Sequence, residues 1–118
     1  MAYMKSNAEV EPRAKIVAAI NGEIYTEFRD NCRRRGIPIN ILIEAFMRQC
    51  IEEQIEIPII SNQTNDPIRL GTNVPKDIAD SFKAKCKSSR IPMRIMLESF
   101  MYQYNKGEFE LVLRRVNK

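Results

Sequence analysis

The cysteines at positions 32, 50 and 86 are the most reactive side chains in this sequence, and their surroundings limit what they can do. Structural zinc sites gather Cys and His ligands, commonly with a Cys-x-x-Cys pair. Here the thiols are widely spaced and histidine is absent, so no metal or cofactor is expected. Three is also an odd number, which argues against a disulfide framework and fits a reducing cytoplasm. Glu44 has Arg48 four residues on, the spacing of an exposed helical pair worth roughly 0.3 kcal/mol, whereas Glu98 has Tyr102 in that place. With no general base, nucleophile pair or phosphate loop evident, no enzyme is expected.

The cations are more informative. The chain carries a formal net charge of +4, and residues 67–118 hold 11 of its basic side chains against 5 acidic ones. Residues 14–57 hold 6 basic and 7 acidic, so the basic character sits in the second half. That balance favours an anionic partner. Arg33-Arg34-Arg35 and the alternating Lys83, Lys85 and Lys87 read first as solvated helix faces. No apolar run is long enough to span a membrane, and no apolar segment follows Lys5 as a signal peptide would require.

The elements that must position these groups occur twice. Displaced by 54 residues, the sequence aligns with itself without a gap. Ile24, Phe28 and Cys32 fall on Ile78, Phe82 and Cys86; Ile37-Pro38 falls on Ile91-Pro92; Glu44, Phe46, Met47 and Gln49 fall on Glu98, Phe100, Met101 and Gln103. Each copy opens with an extended segment, Ala14–Ile20 or Ile68–Val74. In the second, Ile68, Leu70 and Val74 alternate with Arg69, Gly71 and Asn73, the period of a strand with one apolar face. The first is apolar on both faces, and its register comes only from the repeat.

A first helix follows, opened by Asn21 as N-cap and by Pro75 at a first helical position. Its apolar residues recur every four positions, one stripe on a charged helix. Gly36 can stop the first copy, while Arg90 in that place leaves the second stop undefined. After the Ile-Pro turn a second helix runs from about Ile39 to Gln54, and from about Met93 to Asn105. Ile41, Leu42, Ile43, Ala45, Phe46, Met47, Cys50 and Ile51 make it apolar almost all round, so it must be covered on several sides. One strand and one short helix cannot do that, and each unit needs a partner. The division expected is a mobile arm over 1–13, a first unit over 14–57, a polar linker over 58–67 and a second unit over 68–118. The linker is long enough for the units to pair within one chain.

Strand, helix, Ile-Pro turn and long apolar helix together resemble the Arc/MetJ/CopG ribbon–helix–helix family. The resemblance is carried by Ile68–Phe82, with its alternating strand and helix-opening Pro75, and by the turn Arg35–Ile43. It covers residues 14–54 and 68–106, and two fused units are similar to the TraY proteins of conjugative plasmids. It implies a mainly α fold with a short two-stranded antiparallel β-ribbon, a tandem ribbon–helix–helix pseudo-dimer. It further implies sequence-specific binding of double-stranded DNA with the ribbon in the major groove, as a transcriptional repressor. The base-reading positions would be Arg69, Gly71 and Asn73 on one strand and Lys15, Val17 and Ala19 on the other. Phosphates would be held at the start of each second helix, by Ile39-Asn40 and by Met93-Arg94 with Arg90 nearby. Pro38 and Pro92 stand where many relatives have Ser or Thr, which removes a donor that Asn40 and Arg94 could replace. Further self-association of chains on DNA is also implied. A protein-binding or antitoxin-like module on the same fold, or a conjugation accessory DNA-binding protein, is the alternative.

Overall fold

Residues 12–52, 58–60 and 66–107 are described by the computed structural model of the chain. Ile55-Glu56-Ile57 and Phe109-Glu110-Leu111, which also fall on one another in the 54-residue repeat, lie outside them, as do most of the arm and the middle of the linker. The element order is β1 (Arg13–Ile20), α1 (Gly22–Arg35), α2 (Ile39–Glu52), β2 (Ile68–Pro75), α3 (Lys76–Ser89) and α4 (Met93–Asn105). The described chain is thus mainly helical, with one two-stranded sheet.

β1 and β2 run antiparallel, from Arg13 opposite Pro75 to Ile20 opposite Ile68. Ile16, Ala18 and Ile20 are buried, with Leu70, Thr72 and Val74 beside them, so β1 has the register taken from the repeat. Sliding β1 by one residue would turn Ile16 and Ile20 to water and Lys15 into the core. Each strand is one residue longer than its period indicates. Arg13 belongs to β1 rather than to an arm: its Nη2 donates to the Asn73 carbonyl at 3.0 Å, and the Pro12 carbonyl accepts from the Lys76 N–H at 2.8 Å. Pro75 closes β2 and serves as N-cap of α3 with an extended ψ of 140°, so it precedes the first helical residue instead of being it.

Local chemistry explains the helix ends. Asn21 Oδ1 accepts from the backbone N–H groups of Glu23 and Ile24, satisfying two donors at the start of α1. Gly36 stops α1 in the left-handed region at φ 69°. Arg90 does the same for α3 at φ 60°, and the two ends share one bonding pattern. Gly36 and Ile37 donate to the carbonyls of Arg33 and Cys32, and Arg90 and Ile91 to those of Lys87 and Cys86. The second stop is therefore as well formed as the first, although a non-glycine residue pays roughly 1 kcal/mol for that conformation.

Four phenylalanines hold the centre. Phe46 of α2 and Phe100 of α4 stack at 4.2 Å with an interplanar angle of 9°. Phe28 meets Phe100 edge-on at 5.7 Å, and Phe82 meets Phe46 edge-on at 5.9 Å. Helix α1 packs on α4, and α3 on α2, so each second helix is covered by the first helix of the other copy. All four rings are fully buried, as are Met47 and Met101. Ile41 departs from the expected all-round burial and remains exposed at the start of α2.

Candidate nucleic-acid interface

The outward face of the ribbon displays Lys15, Val17 and Ala19 beside Arg69, Gly71 and Asn73, all six exposed. The register makes them three cross-strand rungs: Lys15 with Asn73, Val17 with Gly71, and Ala19 with Arg69. The polar groups are therefore not confined to one strand in space. By backbone pairing, a lysine stands opposite an asparagine toward one end of the ribbon, and an arginine opposite an alanine toward the other. Arg13 continues the period-two set at the Lys15 end, and neither strand contains an acidic residue. Sequence reasoning missed Arg13, although its spacing of two from Lys15 was the available signal.

Asn40 and Ile39 at the start of α2 join this face. With Arg13, Tyr25, Gly71 and Asn73 they border one shallow depression, which brings a helix N-terminus beside one end of the ribbon. At such a terminus the first N–H groups have no partner inside the helix and favour an anion. The Ile41 and Leu42 N–H groups already bond the Pro38 carbonyl. Met93 and Arg94 open α4, where Pro92 makes no side-chain cap bond. Arg94 Nη1 lies 3.6 Å from Glu98 Oε2, so its charge is shared with a carboxylate. Arg90 is exposed at the turn before it.

Glu98, for which the sequence offered no partner, is buried. Its side chain is 0% exposed, and Oε2 accepts from the backbone N–H of Asn21 at 2.6 Å. The carboxylate thus joins the end of β1 to α4. Its repeat counterpart Glu44 is partly exposed and accepts from Arg48 Nε and Nη2 at 3.1 and 3.0 Å, with Arg13 3.9 Å away.

The helical basic runs do not lie on the ribbon. Arg33, Arg34 and Arg35 form the last turn of α1. Arg35 sits 5.5 Å over the Tyr104 ring, and Arg34 donates to Asn31. The thiols are buried among apolar groups. Desolvation pushes Cys32 and Cys86 up to about 11 and Cys50 up to about 12, so they stay protonated and unreactive at neutral pH. Among the described residues no cluster of His, Cys, Asp and Glu could hold a metal ion, and no helix is long and apolar enough to cross a membrane. Comparison with protein-family models, curated proteins and solved structures finds no match.

Proposed function

We propose that the chain is a tandem ribbon–helix–helix pseudo-dimer that binds double-stranded DNA through the outward face of its ribbon. The observation that carries this reading is the face itself: Lys15, Arg69, Asn73 and Arg13 project from paired strands that contain no carboxylate. A two-stranded ribbon has the width of the major groove, where each base pair presents a distinct pattern of donors and acceptors. Arg can grip guanine O6 and N7 with its fork, Asn can grip adenine N6 and N7, and a methyl such as that of Ala19 suits thymine. In this reading Asn40 at the start of α2, and Arg94 with Arg90 at the start of α4, hold phosphates and fix the protein's position.

Support for the pseudo-dimer comes from internal consistency. Val17 and Gly71 are counterparts in the 54-residue repeat and also face each other across the ribbon. An axis between them exchanges Lys15 with Arg69 and Ala19 with Asn73. It also exchanges the Phe28–Phe100 contact with the Phe82–Phe46 contact, which match within 0.2 Å and 1°. A transcriptional regulator, acting as a repressor, is the role this fits best; a conjugation accessory protein would use the same face.

A protein-binding or antitoxin-like module is favoured by one feature. Val17 at the ribbon centre is 37% exposed and Ile41 at the start of α2 is 44% exposed, which leaves apolar surface beside the cations. An ionic-strength series on random-sequence duplex separates the readings. DNA binding predicts an affinity that falls linearly with salt on logarithmic axes, with a slope near −0.9 for each phosphate neutralised. Absence of duplex binding at low salt would transfer the face to a protein partner.

A further inference from the structure

Gly71 occupies the centre of the exposed ribbon face, where a glycine is costly. Glycine in a strand interior gives up conformational entropy and offers no side chain to pack. Nothing in the backbone demands it, since the left-handed glycines are Gly36 and Gly107. What its absent side chain provides is space, and that space is in use. A Cβ built on Gly71 would lie 3.1 Å from Lys15 Cε and 3.7 Å from Lys15 Nζ. Lys15 is a diagonal neighbour of Gly71 across the ribbon, and diagonal neighbours lie within reach of a long side chain. Its stem therefore crosses strands and brings its ammonium to the middle rung. In the repeat the same diagonal runs from Arg69 to Val17, and there an isopropyl group fills the corresponding place.

We propose that Gly71 is a specificity-determining position: by leaving the space beside Val17 open it seats Lys15 across the ribbon, so that Lys15, and not Arg69, presents the central cation to a duplex. This rests on the DNA-binding reading above and adds to it a polarity. Lys15 offers a compact ammonium at the middle of the site, which can donate to guanine O6 or N7. Arg69 reads toward its own end of the ribbon, beside Ala19. Gly71 acts only through Lys15 and is a positioning residue.

The test is a selection from random duplexes with the native chain and with Gly71→Val, Lys15→Met and Arg69→Ala. Valine suits an extended strand, and a melting curve establishes that Gly71→Val is folded; Gly71→Ala, with the smallest added group, is the second variant. Gly71→Val and Lys15→Met are expected to lose discrimination at the same base steps, by about five-fold or more, while Arg69→Ala loses it at different ones. Exchanging the pair, as Val17→Gly with Gly71→Val, is expected to pass the central steps to Arg69. Unchanged preference in both Gly71 variants, or a uniform loss on all sequences with preference intact, would overturn the positioning role and leave DNA binding standing. No salt-sensitive duplex binding by the native chain would instead remove the DNA reading, and this proposal with it.

Discussion

The two copies of the unit share a backbone and differ in how each is fastened. At the end of β1, Asn21 contributes twice: its side chain caps α1, and its N–H bonds the buried Glu98 of α4. The counterpart Pro75 has neither an N–H nor a side-chain acceptor, and α3 begins without a side-chain cap. Glu44 therefore has no N–H to accept at the equivalent place, and it is drawn outward to Arg48 and Arg13. Two differences thus separate the carboxylates: Pro75 removes the N–H that Asn21 supplies, and Arg48 stands where Glu98 has Tyr102. The second copy has a similar exception at its helix end, where Arg90 takes the strained conformation that Gly36 adopts freely. Duplicated folds can tolerate such differences because the shared core, not the fastenings, supplies most of the stability.

That claim is best broken at the core. Phe46→Ala and Phe100→Ala each remove one ring of the central stack and should cost about 3–5 kcal/mol, a large part of the stability of a small domain. If the halves form one cooperative unit, urea unfolding of either variant followed by circular dichroism keeps a single transition at a lower midpoint. A biphasic curve, with one half melting first, would mean that the units fold separately.

The carboxylates sharpen the comparison. Glu98→Ala leaves the Asn21 N–H without its acceptor and should cost about 1–3 kcal/mol. Glu44→Ala breaks a partly exposed pair and should cost less than about 1 kcal/mol. Equal losses in denaturant titration would show that burial of Glu98 contributes nothing beyond its surface counterpart.

Most of the framework could be read from the sequence because it was written twice. The strands, the Ile24–Phe28–Cys32 stripe and the second helix each recur, and the second copy resolved the register of β1 that Ala14–Ile20 alone left ambiguous. The site was less legible. The repeat, carrying over the period of the second strand, placed Lys15, Val17 and Ala19 outward, but only pairing across the ribbon revealed that Lys15 is paired with Asn73 and lies over Gly71. Glu98 was unreadable because burial of a carboxylate depends on an N–H 77 residues away in sequence. Arg90 looked like a poor stop because propensity disfavours arginine there; the Schellman bonds to Cys86 and Lys87 prevail locally.

Arg90 offers a smaller test of the same asymmetry. Arg90→Gly should relieve the left-handed strain and raise stability by about 1 kcal/mol, whereas Gly36→Ala should lower it by a similar amount. Were Arg90 kept for phosphate contact, Arg90→Gly would also weaken duplex binding on all sequences alike. A variant that is more stable and binds equally well would remove Arg90 from the interface.

The smallest expected effect separates the two helix starts. Arg94 and Asn40 are counterparts, but one is charged and shared with Glu98, and the other is neutral and borders the same depression as Asn73. A phosphate held by Arg94 releases counterions, and one held by Asn40 gains only a hydrogen bond. Arg94→Ala should therefore lower the salt slope of duplex binding by about one unit and weaken all sequences equally. Asn40→Ala should reduce affinity and leave the slope unchanged. Arg94→Ala also deprives the buried Glu98 carboxylate of its nearby cation, so its midpoint in urea should fall as well. Binding is then compared well below that midpoint, where both variants are folded. Equal slope changes for the two variants would contradict the assignment. A shift in sequence preference from Arg94→Ala, with the slope intact, would make Arg94 a base-reading residue and move the reading surface from the ribbon alone to the start of α4.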